Sequence, residues 1–275
     1  MKLVKPSFEI KEQEPGLEGI YKQIEWAGRT CYKSHDKMTE NSAKEFVDRM
    51  IKSGHGAMLE HGTVYLAIPM TTYAPDAVNT YRDNAYSKIN DCNEFIFTDK
   101  YGDKVAAWCV TTNLRVLVEN DCLEDLEFLC EPTEYHERRY TVKFICSRST
   151  SHQIVRHRVM SFAQESQRYC NYSLDKFNNE ITFIAPAWYK EEIHHKFLNS
   201  LHRSEMDYFD LINSGLKPQE ARAVLPNSCK TELIVTGFIS DWKALFDLRC
   251  ETGADPDIKE IMIPLKEEFI KLGFL

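Results

Sequence analysis

The fourteen residues Arg156-His157-Arg158-Val159-Met160-Ser161-Phe162-Ala163-Gln164-Glu165-Ser166-Gln167-Arg168-Tyr169 carry three arginines, a histidine, a glutamate and two serines. They show no amphipathic period and no Gly or Pro that would mark a plain helix or turn. Arginine is seldom buried, and an unpaired buried charge is strongly unfavourable. Any fold of this chain must therefore hold the segment where its cations meet a partner. A guanidinium fork presents two parallel N–H donors, which suits the oxygens of phosphate or carboxylate. The chain as a whole is acidic, with a formal net charge of −8. That balance argues against non-specific nucleic-acid binding. A local cationic focus inside a negative field favours a small anionic metabolite over a polymer.

Length allows one large domain with a substantial core, and no Gly/Ser-rich linker, low-complexity tract or repeat marks a boundary. The expectation is a single catalytic domain over 1–275, with an insertion near 69–140. No apolar run approaches a membrane span, and Met1 to Pro6 lacks the apolar segment of a secretory signal. Nine scattered cysteines without a C-x-x-C pair point to a reducing cytoplasm rather than to disulfides or zinc.

Apolar spacing predicts helices over Leu17–Tyr32 and Thr39–Ser53, the second capped by Thr39 or Asn41 and stopped by Gly54. Val64–Ile68 reads as a strand. Asp99 to Asp103, between Phe95-Ile96-Phe97 and Val105 to Trp108, reads as a hairpin turn. Thr112–Val118 and Cys122–Cys130 read as helical. Thr141–Cys146 reads as a strand, followed by a short helix capped by Ser149 or Thr150, on which Gln153, Arg156 and His157 share a face. Ile181–Ala185 and Thr231–Ile239 read as strands. Helices are expected from Pro186 to Asn213, from Pro218 to Pro226, from Ser240 or Asp241 to Arg249, and from Pro256 to Lys271, the last bent at Pro264. The order lacks regular β-α-β alternation, so the expected class is α+β, with helices around a central antiparallel or mixed sheet. No Gly-x-Gly-x-x-Gly or Walker loop is present.

Arg156-His157-Arg158, seven residues, then Ser166 resembles the R-H-R-x7-S signature of the flavin-dependent thymidylate synthases, the ThyX family. Arg29 to Tyr32, His55 with Leu59-Glu60-His61, Gln153, Ala221-Arg222 to Pro226, and Asp241-Trp242 to Leu248-Arg249 resemble further family segments in the same order. The chain departs from the pattern at Ala244, where an Asn is common. It also departs at Thr252 to Pro256, which lacks a His, and at Phe238-Ile239-Ser240, which replaces an Asn-rich turn.

The resemblance implies reductive methylation of dUMP to dTMP, with 5,10-methylenetetrahydrofolate as carbon donor, FAD as hydride carrier and NADPH as reductant. It also implies a homotetramer, with no nucleic-acid or membrane partner and no metal. On the same resemblance Arg249 is the catalytic candidate, set against the uracil ring. Gln153, Arg156, Glu165, Ser166, Gln167, Arg168 and Arg222 are the other dUMP candidates. FAD falls to His55, Ala57, Glu60, Arg156, His157, Arg158, Glu165, Phe238, Ser240 and Ala244. A nucleotide-binding module without catalysis, and an enzyme that adds a hydroxymethyl group to dUMP, are the alternatives. His55 and His61 have no metal-site spacing, and His194, His195 and His202 read as a solvated helix face.

Overall fold

The chain starts with two short strands, β1 (Lys2–Val4) and β2 (Ser7–Lys11), then enters α1 (Gly16–Tyr32) and α2 (Ser42–Lys52). The computed structural model describes residues 1–70, 78–98, 102, 104–174, 177–190, 192 and 194–275, with backbone alone for 91–97. Ile20, Ile24 and Ala27 form the buried stripe of α1, and Ala43, Phe46, Val47 and Met50 that of α2. The two helices touch where a Cβ on Gly28 would fall 2.5 Å from the Phe46 ring, so only glycine fits there. Asn41 takes the N-cap position of α2 without a side-chain bond; the turn is held instead by Ser42 Oγ, which accepts from Thr39 N at 2.9 Å. Gly54 ends the segment at φ +68°.

Next come α3 (Gly56–Leu59), β3 (Thr63–Pro69), α4 (Asn79–Arg82), β4 (Lys88–Thr98), β5 (Lys104–Asn113) and α5 (Leu114–Glu119). The expected hairpin is present as β4 and β5; of its turn, only Gly102 lies within the described residues. The helix expected from Thr112 begins later, because Thr112 and Asn113 still pair with β3 and Asn113 Oδ1 caps Val116 N at 3.2 Å. Within Cys122–Cys130, a 3-10 turn covers Leu123–Phe128.

The second half holds β6 (Arg139–Ser147), α6 (Arg148–Ile154), β7 (Ser161–Gln164), β8 (Thr182–Ile184), α7 (His195–Asn213), α8 (Pro218–Ala221), β9 (Lys230–Phe238), α9 (Ile239–Arg249) and α10 (Pro256–Lys271). Three local expectations are corrected. Ser147, not Ser149 or Thr150, caps α6, its Oγ accepting from Thr150 N at 3.1 Å. The helix expected from Pro186 begins at His195; residues 186–190 form a turn whose Ala187 N donates to Asp257 Oδ1 at 2.8 Å. Asp241 does not cap α9 from outside. It sits within the first turn and accepts from Phe238 N at 3.0 Å. In addition, β7 was missed by periodicity, being four residues inside the polar signature.

The class is α+β, with the strands divided among three sheets: antiparallel β2-β6-β9-β7, antiparallel β3-β5-β4, and the parallel pair β1-β8. One face of the four-stranded sheet, through Val142, Phe144, Leu233 and Val235, packs on Trp242 and Phe246 of α9 and on Ile261 and Phe269 of α10. Its other face meets Ala27 of α1 through Ala163 and Ile234. Helices α1 and α2 then cover the three-stranded sheet through Val64, Leu66, Trp108 and Val110. The segment expected as an insertion thus shares a core with α1 and α2. No helix among the described residues is long and apolar enough to cross a membrane.

Candidate active site

The signature starts where α6 runs out. His157 N donates to Ile154 O at 3.1 Å and Met160 N to His157 O at 3.3 Å, so the chain turns tightly about His157 before β7. Arg249, the last residue of α9, reaches this turn. Its Nε donates to His157 Nε2 at 2.9 Å and its Nη2 to Gln153 O at 2.9 Å. Burial lowers the pKa of His157, and the Arg249 charge lowers it further. Burial and the neighbouring Arg156 likewise lower that of Arg249.

Beyond β7 the signature meets the end of α1. Ser166 N donates to Cys31 O at 3.0 Å, and Ser166 Oγ accepts from Arg168 N at 3.3 Å. The Arg168 guanidinium lies 5.4 Å from the centre of the Tyr169 ring, which is 5.0 Å from that of Tyr32. Tyr32 and Cys31 border a cleft of about 480 Å³ that also takes in His55, Ala57, Met58 and Arg115. Glu60 is buried beside this cleft, where its carboxylate accepts from Arg115 Nη1.

Three other candidates, Glu165, Gln167 and Phe238, are not free to meet a ligand through their side chains. Glu165 is 2% exposed, and its carboxylate pairs with Lys230 at 2.9 Å in a cluster with Lys33, Glu232 and Lys143. Gln167 is buried, its Nε2 donating to Cys229 Sγ at 3.3 Å. Phe238 is 2% exposed, its ring covered by Lys88 and Arg139. Ser240 and Ala244 lie exposed one turn apart on α9, and Arg222 lies exposed in the turn after α8.

Arg156, Arg158, Arg168 and Arg222 are all exposed, and among the described residues none forms an ion pair, in a chain with 42 Asp and Glu. Four unpaired guanidinium groups in an acidic protein fit a ligand that brings several negative charges. His61 is fully buried, its Nδ1 2.9 Å from Thr236 Oγ1, and no His/Cys/Asp/Glu group suited to a metal occurs among the described residues.

Three polar residues of this region were not singled out from the sequence. Arg115 holds Glu60. Arg139, a buried residue of β6, donates from Nη1 to Glu60 O at 3.1 Å and to Thr63 Oγ1 of β3 at 3.3 Å, and from Nη2 to Ser161 Oγ at 3.3 Å, which ties the four-stranded sheet to the three-stranded one. Arg148 keeps a buried Nη1 with no partner among the described residues. The polar run Ser147-Arg148-Ser149-Thr150 between a strand and a helix was the available signal for Arg148; nothing local distinguishes Arg115 or Arg139.

Residues 133–272 match the family described as thymidylate synthase complementing protein. Among curated relatives, the flavin-dependent thymidylate synthase of Pyrococcus furiosus is 38% identical over 128 residues, covering 46% of this chain and 52% of that protein. Those of Pyrococcus abyssi and Geobacter sulfurreducens are each 33% identical, over 128 and 119 residues, covering 52% and 50% of their own lengths. The matched part of the chain thus spans about half the length of these relatives. Among solved structures, the UMP/dUMP methylase PolB from Streptomyces cacaoi, bound with 5-Br dUMP, superposes with a TM-score of 0.44 at 16% identity, over 99% of this chain and 93% of that one. The match takes in the whole Arg156-His157-Arg158-x7-Ser166 signature as well as Arg222 and Arg249, and by it the chain belongs to the thymidylate synthase complementing protein family.

Proposed function

We propose that this chain is a flavin-dependent thymidylate synthase that converts dUMP to dTMP with 5,10-methylenetetrahydrofolate as carbon donor and NADPH as reductant. FAD, when bound and reduced, supplies the hydride. The observation that carries this reading is the doubly held Arg249. With Nε on His157 and Nη2 on Gln153, its Nη1 stays uncommitted among the described residues. A fixed guanidinium of this kind stabilises negative charge developing on a uracil ring, and one such donor contributes about 3–4 kcal/mol in a water-poor site.

Arg168 and Arg222 would take the dUMP phosphate, with Ser166 and Gln153 beside them. Glu165 and Gln167, whose side chains are turned inward, would contribute main-chain groups and hold the loop's shape. The unpaired Arg156 and Arg158 suit the diphosphate of FAD. His55 and Ala57 would line the flavin side of the cleft at Tyr32, with Glu60 behind them holding Arg115. Phe238 would offer backbone only, while Ser240 and Ala244 stand open on α9. Such dispersed, open cations suit a site completed by other subunits of a homotetramer in the cytoplasm, with the whole chain acting as one catalytic domain.

The test is direct. Purified protein should show an oxidised-flavin absorbance that NADPH bleaches, and should turn dUMP into dTMP when given methylenetetrahydrofolate. A 5-hydroxymethyl product would change the assigned reaction. Protein that neither retains added FAD nor binds dUMP would overturn the reading.

A further inference from the structure

We propose that His157 is a positioning residue: as a neutral imidazole with its proton on Nδ1, it accepts the Arg249 Nε–H and fixes the guanidinium for the substrate, and acid releases that grip. This deepens the proposed function and rests on its placement of Arg249.

The geometry permits one protonation state. Arginine has donors only, so the 2.9 Å contact from Arg249 Nε requires a lone pair on His157 Nε2. The remaining ring proton then sits on Nδ1. Protonating Nε2 would set N–H against N–H and cation against cation. The charged groups that act on the pair are Arg156 on the same loop and Glu251 just beyond α9, besides Arg249 itself. Burial and Arg249 already lower the His157 pKa below its ordinary value of 6.5. The neutral form therefore predominates at neutral pH, and the grip is lost only as pH falls through that lowered value.

Both ends of the contact stand on fixed backbone. Helix α9 is anchored by the buried Trp242, Leu245 and Phe246, and the His157 turn by its two main-chain bonds. The long Arg249 side chain is what remains to be ordered, and His157 supplies one of its two tethers. Nδ1–H of His157 stays available to a bound ligand, so a flavin contact and the positioning role are compatible.

Three measurements test this. Histidine-selective 15N NMR, with the His157 signal identified by its loss in His157→Gln, should show pyrrole-type Nδ1 and pyridine-type Nε2 at pH 7. The opposite tautomer or an imidazolium there refutes the proposal. His157→Leu removes the acceptor and should lower kcat about 100-fold at saturating FAD and dUMP, the scale of a misplaced catalytic group. His157→Gln offers an acceptor near the Nε2 position; it should recover most of that loss and abolish the acid limb of the pH–kcat profile. A Gln variant no better than Leu under those conditions overturns the assignment. The NMR result stands apart from turnover: a wild-type protein with the Nδ1–H tautomer but no dUMP chemistry would sink the proposed function and leave the contact intact.

Discussion

Glu232→Gln should destabilise the protein by about 3–5 kcal/mol at pH 7, the range for breaking a buried ion pair by removing one partner. Glu232 is 8% exposed at its side chain, bonded to Lys33 and paired with Lys230 at 2.9 Å and Lys143 at 3.1 Å. At an effective dielectric of about 20, one ion pair at such a distance is worth roughly 6 kcal/mol before desolvation, and several kcal/mol per ion are lost on burial. Burial alone would raise the Glu232 pKa; the charges of Lys230 and Lys33 prevail and hold it well below the usual carboxylate range. Lys230 gains correspondingly, as Glu165 and Glu232 outweigh its burial, whereas at Lys33 burial prevails and lowers the pKa. Glu232→Gln therefore removes the carboxylate that Lys33, Lys230 and Lys143 share, and Glu165 stands opposite only the first two. Urea unfolding followed by circular dichroism at fixed protein concentration measures the loss, and a shift of roughly 10 °C in Tm accompanies it. Since the folded pKa lies below the unfolded value of 4.5, this stabilisation is complete above about pH 4.5 and fades as pH falls through the folded value, so wild type and variant converge in acid. Adding Lys33→Met should restore part of the loss. A single variant within about 1 kcal/mol of wild type would refute the claim that the Glu232 carboxylate is needed to compensate these buried lysines.

Arg249→Ala should cut kcat by about 100- to 1000-fold with FAD still bound; steady-state kinetics beside the flavin absorbance ratio check it, and release of flavin would mean the residue is misplaced. Ser166→Ala should weaken dUMP binding about 5- to 10-fold, the scale of one lost hydrogen bond, as read by calorimetry, with turnover surviving; abolished chemistry with intact binding would contradict a binding role. Burial, then the Arg139 charge, drive the His61 pKa from 6.5 down to about 3, so stability falls as pH drops across that window, where the unfolded chain takes up a proton and the folded chain does not. His61→Asn removes the titrating ring, and the urea midpoint should then change less between pH 7 and pH 4; parallel slopes for the two proteins would contradict the assignment. His35, His136 and His157 shift in the same direction, so the slope should flatten rather than vanish.

Much of the fold was legible where one local rule dominated. The helical stripes of α1 and α2, the left-handed stop at Gly54 and the alternation in β6 follow from side-chain periodicity, which tertiary contacts here reinforce. Errors fell at boundaries decided from outside the segment. Ser147 caps α6 because β6 ends there, Asn113 extends β5 because β3 lies alongside, and Asp257, from far along the chain, holds Ala187 in a turn where Pro186 suggested a helix. Strand β7 is only four residues long and exists because β9 offers a free edge.

From its own chemistry, the Arg156 to Tyr169 segment suits an anionic ligand in an acidic protein, and its fixed spacing points to the family. That follows because guanidinium groups must find partners and a rigid motif is hard to reach by chance. Which members of the segment face outward was decided only in three dimensions. The neighbouring strand β9 places Lys230 against Glu165, the core beside Cys229 receives Gln167, and the end of α9 brings Arg249 to His157, 92 residues away. Pairing of this kind depends on how distant segments pack, and nothing within fourteen residues encodes the distance to α9.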